Sequence, residues 1–227
     1  MILLFASSDF PSESAAKLSQ QLRADGFLLC LPHKVLPLER LSAVPFSAAV
    51  LCMEHKTDGL PPVTELRTLF PKIRLLVLSQ SNPSYRWRSI PNTDAELSSP
   101  YSFTEISTML ENLGAFRCHA KNAIRRYGIE LPANRKNALL GVCRTSLTPA
   151  QHTILRLLLM CGKPLNEEVI AGFLRAPHGT LPTESVRVHI HNLNKVAANG
   201  SIPRLIHYAH RTGYCLCSPY GEFLSEQ

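Results

Sequence analysis

The chain has 227 residues, 45% of them hydrophobic, and a formal net charge of +7. That length and apolar content suit one or two packed domains, and two fit better. No apolar run reaches the length of a membrane-spanning helix, and the chain has no internal repeat and no low-complexity segment, so neither a helical membrane protein nor a repeat array is expected.

The charge is unevenly spread. Residues 1–120 carry 11 Lys+Arg against 11 Asp+Glu, and residues 121–227 carry 13 against 6, so the excess lies in the second half. A basic half beside a neutral one points to a polyanion partner, the alternative being a merely soluble basic domain. The seven cysteines (Cys30, Cys52, Cys118, Cys143, Cys161, Cys215, Cys217) are odd in number and lack a Cys-x-x-Cys pair. Most sit in apolar runs, where a free thiol behaves as a small hydrophobe, and a reduced cytoplasm is the expected location. Cys215 and Cys217 share one face of a strand and are poorly placed to pair. Met1–Phe5 is too short for a signal-peptide core and lacks a basic leader.

In chain order, Ile2–Ala6 is a continuous apolar run, as in a parallel strand buried on both faces. Ser12 or Ser14 caps a helix with Ala15, Leu18 and Leu22 on one face, ended by Asp25-Gly26. Four more strands are expected at Phe27–Leu31, Ala48–Met53, Leu75–Leu78 and Ala95–Ser98, and a helix at Phe103–Leu113. The alternation predicts a doubly wound α/β domain over residues 1–113. The prolines and turn formers of residues 80–92 argue against a full helix there.

Residues 114–127, with Arg117, His119, Lys121, Arg125 and Arg126, read as a linker whose charges form a solvated face or touch phosphate. The second domain is expected over residues 128–220. Gly128–Leu131 and Leu139–Cys143 read as short strands around a Pro132-Ala133-Asn134 turn, in a sheet of two or three strands. Thr148–Met160 is a helix with Pro149 first and a Thr148/Gln151 capping box, and Leu147, Ile154, Leu157 and Leu158 face the core. Gly162 and Pro164 stop it. Asn166 caps a second helix with Glu167 and Glu168 in its positive first turn and Ile170 and Phe173 buried.

A third helix starts with Thr183 as cap and ends at Asn199-Gly200, a left-handed stop signal. Val186, Ile190, Leu193 and Ala197 form its buried face. Arg187, His191, Asn194 and Lys195 fall opposite, a face without carboxylates and rich in hydrogen-bond donors. Such a face suits a DNA major groove, where base edges and phosphates present mostly acceptors. Leu205–Tyr208 and Tyr214–Cys217 form a hairpin with Tyr214 as core anchor. Gly213 supplies a positive φ at its tip, where Arg211 or His210 reaches a minor groove or its phosphates.

Leu147-Thr148-Pro149, the run from Ser185 to Leu193 and His210-Arg211-Thr212-Gly213-Tyr214 appear in order and at matching distances. Over about residues 145–217 they resemble the winged-helix effector domain of OmpR/PhoB-type response regulators. The resemblance implies an α+β winged helix-turn-helix domain after a flavodoxin-like receiver. Its recognition helix and wing would bind double-stranded DNA as a homodimer on two adjacent half-sites. The implied DNA-binding residues are Arg187, His189, His191, Asn192, Asn194, Lys195, His210, Arg211 and Thr212. Ala176–Thr180 matches the loop that contacts RNA polymerase in activators.

The first half resembles a receiver in strand order, in Ser79 ending the fourth strand and in Pro100-Tyr101 after the fifth. A receiver holds Mg²⁺ with an acidic pair after the first strand and phosphorylates an aspartate ending the third. Here Ser7, Ser8 and Asp9 stand at the acidic positions, Cys52 aligns with the acceptor and Ser99 replaces the lysine before the proline. A hard cation needs more than one carboxylate, so the pocket is expected to be inactive, with no metal and no cofactor. Glu54 and Asp58 are the neighbouring carboxylates that would serve as misaligned replacements. Cys52 is either a redox or small-molecule sensor or an inert core thiol; His55 and Lys56 are close in sequence.

Relatives carry arginines where this chain has His191, Asn192 and Asn194, and glycine where it has Arg211. Asparagine reads adenine well, so the expected target is richer in A·T, or bound more weakly, with a shallower salt dependence. His189 is a packing or phosphate-contacting residue; it and His191 lie about 200° apart around the helix and cannot chelate one ion. His207 and His210 would give pH-sensitive binding if they titrate near neutrality. The expectation is a cytoplasmic, sequence-specific transcription regulator that works without aspartate phosphorylation. The alternative is a protein-interaction module that has lost DNA binding and captures another regulator or polymerase. An enzyme is not expected, because Ala6-Ser7-Ser8 and Cys52-Met53-Glu54 offer neither a phosphate-cradling loop nor paired catalytic groups.

Overall fold

The apolar runs of the first half pair side by side, as their burial on both faces requires. In the computed structural model, β1 (Ile2–Ala6), β2 (Leu29–Cys30), β3 (Ala48–Met53), β4 (Arg74–Ser79) and β5 (Ala95–Ser98) form one parallel sheet in the order β2-β1-β3-β4-β5. The structure describes residues 1–32, 37–54, 60–79, 92–115, 123–132, 137–174, 183–200 and 202–217, with only the backbone of residues 183–184. They fall into two compact units, one ending at Ala115 and one starting at Ala123.

Parallel strands need crossovers, and helices supply them. Leu18 and Leu22 of α1 (Ser12–Ala24) and Ile106 and Leu110 of α3 (Phe103–Asn112) pack on Ile2, Leu4, Val50, Cys52, Leu76 and Leu78. Those strand residues alternate, so they share one face of the sheet. α2 (Val63–Leu69) precedes β4, and a 3-10 turn at Leu38–Leu41 lies between β2 and β3. α1 does not start as the serines suggest: Pro11 is its N-cap, and no side chain caps it. Pro11 already supplies a fixed backbone turn and its carbonyl accepts from Ala15 N. α3 has a capping box between Ser102 and Glu105. The expectation about residues 80–92 lies outside the described residues apart from Asn92.

The second unit opens with an antiparallel sheet of four strands, where two or three were expected. They are β6 (Ile124–Arg126), β7 (Ile129–Leu131), β8 (Ala138–Leu140) and β9 (Cys143–Thr145), paired in sequence order. Residues 124–127, read as linker, thus belong to the sheet. Tyr127 and Gly128, at φ 53° and 72°, make the two-residue β6–β7 turn, since positive φ at both positions matches the strand twist. The run Leu139–Cys143 is not one strand either, because Gly141 (φ 62°) turns the chain between β8 and β9. Residues 116–122 of the linker and residues 133 and 134 of the expected turn lie outside the described residues.

Three helices follow: α4 (Pro149–Cys161), α5 (Glu167–Leu174) and α6 (Thr183–Asn199). The α4 capping box forms as expected: Thr148 N donates to Gln151 Oε1 at 2.9 Å and Gln151 N to Thr148 Oγ1 at 3.3 Å. Gly162 ends the helix in the left-handed region. Asn166 Oδ1 accepts from Glu168 N at 2.9 Å, capping α5. α4 is tied to the sheet by Arg126, which donates to Leu159 O at the helix's negative end, and by buried His152, whose Nε2 lies 2.9 Å from Pro132 O. A hairpin of β10 (Ile206–Ala209) and β11 (Gly213–Leu216) closes the unit, and Leu165 and Tyr214 exchange two 2.8 Å backbone hydrogen bonds that add a third chain to it.

Gly200 is not the left-handed stop expected after α6, since its φ lies outside that region. It is glycine for lack of room: a Cβ there would sit 2.2 Å from Leu140 O, and one on Gly141 would sit 2.4 Å from Gly200 O. The β8–β9 turn and the end of α6 meet backbone to backbone.

Candidate nucleic-acid interface

α6 carries the arrangement that its periodicity predicts on its inner side. Val186, Ile190, Leu193 and Ala197 are buried against α4 and α5. A buried aliphatic side chain of this size contributes about 1.5–3 kcal/mol, so this stripe fixes the rotation of the helix. With that rotation set, Arg187, Val188, His191, Asn192 and Lys195 are exposed and follow one another at one-, three-, one- and three-residue steps. They make one continuous outward ridge. His189 is half-buried, between ridge and core.

Val188 was missed in the sequence, where it reads as one more apolar residue of the helix. It is 57% exposed, because it falls beyond the buried stripe. Its methyl groups stand in a ridge otherwise made of polar and charged side chains.

Asn194 is a correction. It does not face outward with Arg187 and Lys195. Its Oδ1 accepts from Leu205 N at 3.1 Å and Ile206 N at 2.8 Å, and its Nδ2 donates to Ile206 O at 2.9 Å. The amide is spent on the backbone of β10 and is not placed to read a base. Its helix position lies at the edge of the buried stripe, and the backbone groups across from it decide which way it turns.

Arg187 is exposed but not alone. Its Nε donates to both carboxylate oxygens of Glu167, at 3.0 and 3.1 Å. Burial, with the Glu167 carboxylate second, holds the Tyr214 phenol above its ordinary value. Tyr214 packs edge-on against half-exposed Tyr208, with ring centres 5.2 Å apart. The sequence pattern contains this cluster only as separate residues on α5, α6 and the hairpin.

At the hairpin tip, His210, Arg211 and Thr212 are all exposed. Thr212 N and Oγ1 both donate to Ala209 O, at 3.1 and 3.2 Å, so its hydroxyl closes the turn. Arg211 occupies the left-handed region at φ 65°, and Gly213 lies at φ 117°. A Cβ on Gly213 would sit 2.1 Å from Leu165 O, so close approach, as well as φ, demands glycine there. His207 is half-buried.

In the first unit, Ser7, Asp9, Ser79 and Ser99 gather at the carboxyl ends of the strands, with exposed Ser8 beside them. Ser7 N donates to Cys52 O at 2.8 Å, Ser7 Oγ to Asp9 Oδ1 at 2.5 Å, and Ser99 N to Ser79 O at 2.8 Å. Cys52 is a second correction. The strand register sets Met53, not Cys52, beside Ser79, and the Cys52 side chain belongs to the core under α1 and α3. Full burial pushes its thiol far above the ordinary range, and Cys30 likewise, which keeps both in the unreactive neutral form. His55, Lys56 and Asp58 lie outside the described residues, as does the loop Ala176–Thr180. Among the described residues no group of three or more His, Cys, Asp or Glu side chains is placed to hold a metal, and no helix is long and apolar enough to cross a membrane.

No family model matches the chain, and no curated protein does. Among solved structures its neighbours are response regulators. One belongs to a family of redox sensors in the streptococci that evolved from two-component response regulators. It is 14% identical, with 95% of this chain and 98% of that chain covered, at a TM-score of 0.37. Another is the response regulator DrrB of Thermotoga maritima, an OmpR/PhoB homolog. It is 16% identical, with 95% and 97% covered, at a TM-score of 0.36.

Proposed function

We propose that this protein is a transcription regulator of the OmpR/PhoB response-regulator type that binds duplex DNA sequence-specifically and works without aspartate phosphorylation. The observation that carries the reading is the outward ridge of α6: Arg187 and Lys195, two further hydrogen-bonding side chains and one valine, on a helix whose opposite face is buried. In a winged-helix arrangement that ridge lies in the major groove and the β10–β11 tip reaches the adjacent minor groove or its phosphates. Arg187 and Lys195 supply phosphate or guanine contacts, Asn192 suits adenine, and the Val188 methyls suit the methyl of thymine. His191, His210 and Arg211 complete the contact set. The set favours operators containing A·T pairs, bound in the cytoplasm by a homodimer on adjacent half-sites.

The receiver-like unit supports control by a route other than phosphate. Asp9, which follows β1, is engaged by Ser7, and Met53 and Cys52 end the strand where an acceptor aspartate would be needed. The test is fluorescence anisotropy of the full chain with DNA from its own promoter region over a salt series, beside an Arg187→Ala/Lys195→Ala variant and without a phosphodonor. Tight binding that weakens with salt and collapses in the variant is expected. No binding at low salt would replace this reading with a protein-interaction module.

A further inference from the structure

Asn194 joins α6 to the start of the hairpin through its side-chain amide. One side chain accepts from two consecutive backbone amides and returns a hydrogen bond to one carbonyl, so three of its four hydrogen-bonding positions are used on Leu205 and Ile206. It pairs with the strand much as a neighbouring peptide would. Leu205 and Ile206 form the base of the hairpin. From there the register runs Ile206↔Leu216, His207↔Cys215, Tyr208↔Tyr214 and Ala209↔Gly213 to the tip. At ~3.3 Å per residue the tip lies roughly 15 Å from this base, so a small tilt at Ile206 moves Arg211 by several ångströms. The other strand has its own anchor, the Leu165–Tyr214 backbone pair. With β11 held to Leu165, between α4 and α5, and Ile206 held to Asn194 of α6, each strand of the hairpin has an anchor in the helical part of the unit, and the one on the recognition helix is Asn194.

We propose that Asn194 is a positioning residue that sets the reach of the wing, so that α6 and the β10–β11 tip grip one duplex as a single unit. This rests on the DNA-binding reading and makes the contribution of Arg211 depend on a residue that touches no DNA. Alanine at 194 would leave two amides and one carbonyl of the hairpin base without their partner, loosening the base.

The test is a double-mutant cycle of Asn194→Ala and Arg211→Ala in the full chain, read as affinity for an operator duplex selected by the wild-type protein. Asn194→Ala is expected to weaken operator binding about tenfold, the size of one lost base or backbone contact. In the Arg211→Ala background the same substitution should cost no more than about twofold. Equal losses in both backgrounds would assign Asn194 a direct DNA contact and overturn the proposal, as would no loss in either. If Asn194→Ala fails to fold, Asn194→Ser, which keeps a polar group but cannot span the gap, runs the same cycle with the same expected non-additivity. Hydrogen exchange of the Ile206 amide, measured without DNA, should speed up in either variant; unchanged protection would also overturn the proposal. Wild-type protein that selects no operator brings down the DNA reading and this inference together, whereas tight wild-type binding with an additive cycle brings down the positioning role alone.

Discussion

Arg187 and Glu167 join the starts of α6 and α5 through a forked contact in which one Nε–H serves both carboxylate oxygens, at 3.0 and 3.1 Å. The two side chains differ in exposure, 68% for Arg187 and 13% for Glu167. The carboxylate therefore sits behind the guanidinium, against the helix pair, and the guanidinium stands in front of it. Glu167 also gains from the positive first turn of α5. This cation of the outward ridge thus carries a fixed negative charge at its back.

Glu167→Gln should release that charge. An exposed pair of this kind contributes at most ~1 kcal/mol, so the melting temperature should change little. Non-specific DNA binding should tighten, and the slope of log K against log salt should steepen by roughly 0.9, one more neutralised phosphate. An unchanged slope in anisotropy titrations would show that Arg187 meets no phosphate. In the absence of DNA the Tyr214 phenol should titrate lower than in wild type, closer to its ordinary value, because the variant removes the second cause of its upward shift and leaves burial in place. Ultraviolet difference titration reads this.

Arg211→Gly should move stability and DNA binding in opposite directions. Arg211 holds φ 65°, where a side chain costs roughly 1 kcal/mol that glycine avoids. The variant should resist urea better than wild type by about that amount and bind operator DNA more weakly for want of the cation. Denaturation curves and anisotropy on the same preparations test both halves.

Gly213→Ala should destabilise the second unit by about 1–3 kcal/mol. Its Cβ would meet Leu165 O at 2.1 Å at a φ of 117°, so the Leu165–Tyr214 pair must break or shift. Thermal unfolding should show the loss, with the α/β unit's own transition unmoved.

Asp94→Asn should remove a pH-dependent part of the stability of the first unit. Burial alone would raise the Asp94 carboxyl, but the Leu75 amide and the Arg74 and Arg67 guanidiniums outweigh it and hold the carboxyl below its ordinary value. The contacts are short: Arg67 Nη2 donates to Asp94 Oδ2 at 2.6 Å and Arg74 Nη1 to Oδ1 at 2.9 Å. A depressed folded-state value means stability that is complete above the unfolded carboxyl pKa of about 3.9 and lost as pH falls through the lower folded value. Wild type should therefore exceed the variant in urea resistance at pH 7, and the gap should close once pH has fallen through the lowered folded-state value of the carboxyl. A gap that persists there would assign the effect to packing.

What the sequence determined by itself is what local chemistry and periodicity decide. Four apolar runs became strands of the parallel sheet because a strand buried on both faces cannot alternate, and Ala95–Ser98, which does alternate, took its edge. The four-three-four spacing from Val186 to Ala197 became the buried stripe of α6, and Thr148 with Gln151 became the capping box, because each depends on residues within a turn or two. The tertiary structure decided everything that turns on a distant backbone. Asn194 points inward because unpaired amides of Leu205 and Ile206 lie across from it, eleven and twelve residues on. Cys52 lies in the core because the β3–β4 register, set by the whole sheet, gives the place beside Ser79 to Met53. Gly200 is glycine because Leu140, sixty residues earlier, passes too close for a Cβ. Arg187 meets Glu167 because α5 and α6 pack at one particular rotation. In each case the residue's own neighbours in the chain allow more than one orientation, and the choice is made by unpaired polar groups and close-packed backbone that only the folded chain brings together.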